Sequence, residues 1–194
     1  MMSLEQIKKI REQTGAGMVD VKKALDESQG DEAKAIEILR KNGQAKALKK
    51  TDREAKEGVI GSYTHSNNKI CAMIKLYCET DFVARNEEFK ELARDIAMHI
   101  SAMNPRFLNP EDVSDEIVEK EKAIWIEQLK NEGKSQEITD KIMVGKEKKF
   151  REEVSLSSQP FVKNPDITIK DLVTEKIGKI GENIQLGEFS RFEL

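Results

Sequence analysis

Ile70-Cys71-Ala72-Met73-Ile74-Lys75-Leu76-Tyr77-Cys78 is the stretch on which the fold class turns. Ile70, Ala72, Ile74, Leu76 and Cys78 alternate with Cys71, Met73, Lys75 and Tyr77. A period of two sends alternate side chains to opposite faces, which is the signature of a strand. Val59, Ile60 and Tyr63 come shortly before, separated from it by the turn-forming cluster Ser66-Asn67-Asn68. Two such runs around a turn predict a β-hairpin. Working outward from the hairpin, the period becomes helical on both sides.

Residues 3–42 read as three short helices. Ser3 is placed to cap the first, where Leu4, Ile7 and Ile10 recur at helical spacing. Gly15-Ala16-Gly17 breaks it, and a second helix follows with Met18, Val21, Ala24 and Leu25 on one side. Gln29-Gly30 ends that helix, Asp31 caps a third containing Ala35, Ile36 and Leu39, and Asn42-Gly43 supplies the stop. Residues 44–57 carry Lys46, Lys49, Lys50, Arg53 and Lys56 with little apolar patterning, which reads as a solvated linker helix or a phosphate-contacting arm.

Beyond the hairpin, Phe89, Leu92, Ala93, Ile96, Ile100 and Met103 form one apolar stripe that Asn104-Pro105 ends. Residues 111–153 are densely charged, with Ile117, Ile124, Leu129, Ile138, Ile142, Met143 and Phe150 as sparse apolar positions. Gly133-Lys134-Ser135 divides them into a helical hairpin that projects from the body, Ser135 capping the second helix. Pro160 and Asn164-Pro165 mark an irregular crossover. A last helix from about Ile169 to Ile180 precedes a terminal strand with Ile184, Leu186, Phe192 and Leu194 on one face. An early hairpin, intervening helices and a late strand predict an α+β fold: a small antiparallel sheet packed with helices. The expected division is a three-helix module at 1–43, a linker at 44–57 and an α+β core at 58–194, with the helical hairpin at about 111–153.

Composition limits the chemistry. The 194 residues hold 33 Lys+Arg against 36 Asp+Glu, a net charge of −3, which argues against a cationic nucleic-acid clamp. Aromatic residues are 5%, too few for stacking platforms. No apolar run reaches the ~20 residues that span a bilayer. The start, Met1-Met2-Ser3-Leu4-Glu5-Gln6, lacks a basic and an apolar signal region, so no secretion signal is expected. Two cysteines cannot build a disulfide framework, and Cys71 and Cys78 fall on opposite faces of the strand as packed thiols. A cytoplasmic, helix-rich protein is expected. His65 and His99 lie far apart, and no metal-ligand cluster appears. Thr14-Gly15-Ala16-Gly17-Met18-Val19-Asp20 lacks the third glycine of a dinucleotide loop and the Gly-Lys-Ser/Thr ending of a phosphate loop, so it reads as a turn between helices. No catalytic site, metal or cofactor is expected.

Two places stand out as interaction residues. Met18 and Val19, at the turn, either offer apolar surface to another protein or belong to the module's own core. Phe82, between Asp81 and Val83, lies where the strand pattern ends and the next helix has not begun. It either inserts into a partner's pocket, as aromatic hot spots do, or folds back to staple the following helix.

Three long stretches carry a resemblance. They are Thr14-Gly15-Ala16-Gly17-Met18-Val19-Asp20-Val21-Lys22-Lys23-Ala24-Leu25, Glu79-Thr80-Asp81-Phe82-Val83-Ala84-Arg85-Asn86, and Glu153-Val154-Ser155-Leu156 with Gln159-Pro160-Phe161-Val162 and the ending Arg191-Phe192-Glu193-Leu194. In this order, across nearly the whole chain, they resemble bacterial elongation factor Ts, the nucleotide-exchange factor of elongation factor Tu. The resemblance implies an N-terminal module like ubiquitin-associated domains, and a core in one copy where longer members carry two. Because short members form symmetric dimers, it also implies a homodimer. It further implies that Phe82 enters between two helices of the Tu GTPase domain with Asp81 beside it, flanked by Thr80 and Val83. There it disturbs the elements that hold Mg²⁺ and the phosphates of GDP. The resemblance implies as well that the region Thr14, Gly15, Ala16, Gly17, Met18, Val19 and Val21 grips another helix of that domain. The resemblance favours insertion of Phe82 over the staple. Three rivals remain: an RNA- or ribosome-binding module using residues 41–56, an adaptor that dimerises without exchange activity and, last in rank, an enzyme with an unrecognised site.

Overall fold

A computed structural model describes residues 4–194, so the predicted Ser3 cap lies outside the described residues. The N-terminal helices are α1 (Leu4–Thr14), α2 (Met18–Glu27) and α3 (Glu32–Leu48). Ile10, Val21, Ala24, Leu25, Ala35 and Leu39 form their shared core. The predicted breaks are where the backbone turns left-handed, at Gly15 (φ 66°) and at Gln29 and Gly30 (φ 55° and 87°). Asp31 caps α3, its carboxylate accepting from the Lys34 N–H at 3.1 Å.

One expected boundary is corrected. Asn42-Gly43 does not stop α3, which continues to Leu48. A helix tolerates one glycine at about 1 kcal/mol, and here the following Gln44-Ala45-Lys46-Ala47 favours helix. Ala47 is buried, and Lys46 pairs with Asp20 at 2.7 Å.

The hairpin forms as read, from β1 (Glu57–Thr64) and β2 (Ile70–Cys78), with Asn68 left-handed in the turn. Ala72, Ile74, Leu76 and Cys78 are buried, while Met73 on the other face is exposed and Cys71 half-buried. A single helical turn, α4 (Asp81–Ala84), precedes α5 (Glu87–Met103). Phe89, Leu92, Ala93, Ile96 and Ile100 are buried as predicted, but Met103, in the last turn, is exposed. Asn104, left-handed at φ 48°, closes α5.

The charged segment forms α6 (Asp115–Asn131) and α7 (Gln136–Glu153), with Gly133 left-handed at φ 71° between them. Ser135 holds the cap position of α7 but makes no side-chain capping bond. Trp125 meets Phe150 edge-on at 5.6 Å across the pair, and Arg151 binds Asp115, Glu147 and the Val113 carbonyl.

The segment read as an irregular crossover holds a two-stranded ribbon, β3 (Pro160–Phe161) and β4 (Asn164–Thr168), paired antiparallel with a shifted register. It was hidden because it is too short for a period and contains prolines that cannot donate to a ladder. The chain ends in α8 (Ile169–Ile180) and β5 (Gln185–Glu193).

The three-stranded sheet has the order β1-β2-β5. Lys75 pairs with Glu188 at 2.6 Å and the Leu194 N–H reaches the Lys69 carbonyl, so β5 runs antiparallel to β2. The fold is α+β. Towards its end the terminal strand's apolar face is uncovered: Phe192 is 63% exposed and Leu194 98%.

Packing divides the described chain into two units. One holds residues up to Gly58, Tyr77–Phe89 and Asp171–Gln185; the other holds Val59–Leu76, Lys90–Lys170 and Leu186–Leu194. In the second unit, His99 is fully buried, and its Nδ1 accepts from the Val162 N–H at 3.2 Å. That contact leaves the ring proton on Nε2, which donates to Gln159 Oε1 at 3.0 Å.

Candidate functional site

The two stretches singled out in the sequence both lie in the first unit. At the α1–α2 turn, Thr14 is half-buried, its hydroxyl donating to the Ile10 carbonyl and accepting from the Ala16 N–H. Gly15 carries the left-handed bend, and Gly17 holds the N-cap position of α2. Met18 is 51% exposed and Val19 66%, so neither belongs to the module's core. Val21 does: it is fully buried beside Ile10 and Leu25. α2 turns it inward, beneath the surface that Met18 and Val19 present.

At the second stretch, the residues between the strand pattern and the next helix form the single turn α4. Thr80 caps it, the hydroxyl accepting from the Val83 N–H at 3.4 Å. Asp81 is half-buried and pairs with Arg85 at 3.0 Å; Val83 is half-buried. Phe82 is 80% exposed. A staple under the following helix needs a buried ring, and Phe82 is turned to solvent instead.

An exposed phenyl group on a slack loop would be a poor probe, yet this loop is held. The Glu182 carboxylate accepts from the Glu79 N–H (3.1 Å), the Thr80 N–H (3.0 Å) and the Thr80 hydroxyl (2.7 Å). Glu79 in turn accepts from the Asn183 N–H at 2.6 Å. The Asn183 side chain is buried and donates to the carbonyls of Thr51 and Arg53. Cys78 closes the base, its thiol donating to the Thr80 carbonyl at 3.2 Å. Burial, then the charge of Glu182, pushes that thiol's pKa up to about 11, so it is an inert packing group rather than a nucleophile.

Glu182 and Asn183 were not legible in the sequence. Their partners lie more than a hundred residues upstream, and Gly181-Glu182-Asn183 reads only as the end of a helix. Among the described residues, no group of three or more His, Cys, Asp or Glu is placed to hold a metal ion, and no helix is long and apolar enough to cross a membrane.

A family model described as Elongation factor TS matches residues 5–194. The chain belongs to the elongation factor Ts family. Relatives of that name are similar along most of their length. The one from Carboxydothermus hydrogenoformans is 53% identical over 194 residues, covering 100% of this chain and 89% of its own. That from Thermodesulfovibrio yellowstonii is 53% identical over 193 residues, covering 100% and 96%. That from Thermosipho melanesiensis is 52% identical over 192 residues, covering 99% and 98%. As an elongation factor Ts family member, the chain is an elongation factor of protein synthesis. The exposed Met18, Val19 and Phe82 are therefore surfaces of a translation factor.

Proposed function

We propose that this elongation factor Ts family member is the guanine-nucleotide exchange factor of elongation factor Tu, acting without catalysis of its own. It binds Tu·GDP, disturbs the Mg²⁺ and phosphate site and releases GDP so that GTP can bind. The observation that carries this reading is Phe82, an 80% exposed phenyl on a loop clamped through Glu79 and Thr80. A rigid aromatic in that setting enters a pocket at little entropic cost. Mg²⁺ is often the largest local charge in a phosphate site, so shifting the elements that hold it loosens GDP.

Thr80, Asp81, Phe82 and Val83 form the exchange loop. Thr14, Gly15, Ala16, Gly17, Met18 and Val19 form the grip on Tu, with Val21 supporting them from the core. The working division is a ubiquitin-associated-like module at 1–43, a linker at 44–57 whose first residues continue α3 to Leu48, and an α+β dimerisation core at 58–194. The factor works in the cytoplasm as a homodimer, with no nucleic acid or membrane partner. The homodimer reading is supported by the sheet face opposite α5, where Ile60, Met73 and Phe192 are exposed.

Energetics makes both contacts necessary. Accelerating release about 10⁴-fold lowers the barrier by roughly 5.5 kcal/mol. A single aromatic hot spot supplies that only at its upper limit. By linkage, GDP must weaken binding of the factor as much as the factor weakens binding of GDP.

Stopped-flow release of a fluorescent GDP analogue from elongation factor Tu, with Mg²⁺ present, tests the proposal. Wild type should accelerate release strongly. Phe82→Ala should lose most of that acceleration while binding nucleotide-free Tu less than tenfold more weakly. No acceleration by wild type would falsify the exchange reading.

A further inference from the structure

The last turn of α8 and the residues after it touch both parts of the proposed Tu-binding surface. Lys179 lies along the α1–α2 turn: a Cβ on Gly15 would come within 2.6 Å of its Cε and 2.7 Å of its Cδ. The same side chain continues to Glu88, which it meets at 2.6 Å, with Lys176 on the same carboxylate oxygen at 2.6 Å. Glu88 is in the first turn of α5, directly after the Phe82 loop. Burial alone would raise its pKa, but the hydrogen bonds from Lys176 and Lys179 outweigh this and hold the carboxyl below its ordinary value.

Three residues further on, Glu182 takes the two N–H groups and the hydroxyl at the base of the Phe82 loop. Between them, the Gly181 carbonyl accepts from Lys50, and just after Glu182, Asn183 holds Thr51 and Arg53. The connection therefore runs from Gly15 through Lys179 to Glu88, and from α8 through Glu182 to Thr80. All of it lies within one packing unit.

We infer that the Lys176–Asn183 segment is a strut that sets the spacing between the Thr14–Val19 turn and Phe82, with Glu182 its principal positioning residue. In this role Glu182 acts through Glu79 and Thr80, whose N–H groups and hydroxyl it holds. It fixes where Phe82 stands while the other contact is made. Where a site acts by geometry, small displacements matter: in enzymes a misplacement of about 1 Å can cost on the order of a hundredfold in rate. The inference rests on the exchange reading, and the experiment separates the two.

Exchange should be titrated with wild type, Glu182→Ala and Glu182→Gln, reading the maximal release rate apart from the half-saturating concentration. Glutamine keeps the shape, its carbonyl accepting from both N–H groups and its amide donating to the Thr80 hydroxyl. Glu182→Ala should lower the maximal rate roughly ten- to a hundredfold, with half-saturation within threefold of wild type. Glu182→Gln should restore most of it. Amide hydrogen exchange, read without any partner, should show Glu79 and Thr80 losing protection in Glu182→Ala alone.

An unchanged maximal rate in Glu182→Ala overturns the strut. So does an equal loss in both parameters that Glu182→Gln fails to rescue, because that marks a merely structural role. Unchanged protection of Glu79 and Thr80 overturns it without reference to exchange. Should wild type itself fail to accelerate release, the proposed function falls, and the amide measurement alone decides the strut.

Discussion

A Cβ on Gly61 would lie 2.3 Å from the Ala93 carbonyl oxygen and 2.5 Å from its carbon, both on the backbone of α5. Neither partner is a flexible side-chain end, so strand and helix must separate to admit a methyl group. Gly61→Ala should destabilise the fold by about 1–3 kcal/mol or more, measured by urea unfolding. A change within error would mean that β1 does not lie on α5 as described. His99 offers a second test at this scale. Burial lowers its pKa below 6.5, the hydrogen bond with Gln159 opposing only in part. Below that value the unfolded chain binds the proton more readily than the folded one. The contribution to stability is therefore present above pH 6.5 and is lost as pH falls through the folded pKa. Between pH 6.5 and 5.5 wild type should lose unfolding free energy that His99→Asn, which has nothing to titrate there, keeps. Parallel slopes would sink this account. The sequence showed His99 only as one isolated histidine, because its two partners, Val162 and Gln159, lie about sixty residues downstream.

At the scale of elements, α3 shows where local signals mislead. Asn-Gly is a strong stop in isolation, but buried Ala47 lies one turn beyond it and holds the helix on. The glycine remains a local cost, since a Cβ at Gly43 would meet nothing within 4 Å. Gly43→Ala should therefore stabilise by about 0.5–1 kcal/mol, visible as a raised Tm; a lowered Tm would show that the backbone at Gly43 needs its freedom. Gly178 on α8 is more constrained. Its Cβ would rest 3.4 Å from the Gly43 Cα and carbonyl oxygen, so alanine fits there in contact. Elements with a strong period were legible: the β1–β2 alternation, the α5 stripe and the α6–α7 pair. The single turn α4 and the β3–β4 ribbon were not, since elements of two to five residues held by distant groups leave no period to read. In the candidate site, Phe82 and Met18-Val19 were visible as misplaced apolar side chains, whereas the residues that make Phe82 stand still were not.

Across the whole molecule, packing and chain order give different divisions. The α8 segment and the Phe82 loop pack with the N-terminal helices, although the hairpin and the α6–α7 pair separate them in sequence. The proposed dimer makes a test at this scale. Ile60, Met73 and Phe192 alternate with residues that face α5, among them Gly61 and Arg191, which donates to the Ser101 carbonyl. A carboxylate in the middle of a sheet-to-sheet contact is costly to bury. Met73→Glu should shift the sedimentation coefficient from dimer to monomer while the circular dichroism spectrum stays that of a folded chain. A monomeric wild type would rule the dimer out. The Glu182 contacts also bear on the order in which the structure is made. They join positions 102 and 103 residues apart, and those of Asn183 join positions up to 132 apart. During synthesis from the N-terminus, the three helices, the hairpin and Phe82 all leave the ribosome long before Glu182 and Asn183 do. Through that interval the nascent chain carries its aromatic tip on an untethered loop. The loop is pinned only once synthesis has run 102 residues past Thr80, so elongation must carry the chain far beyond its own aromatic tip before that tip is held.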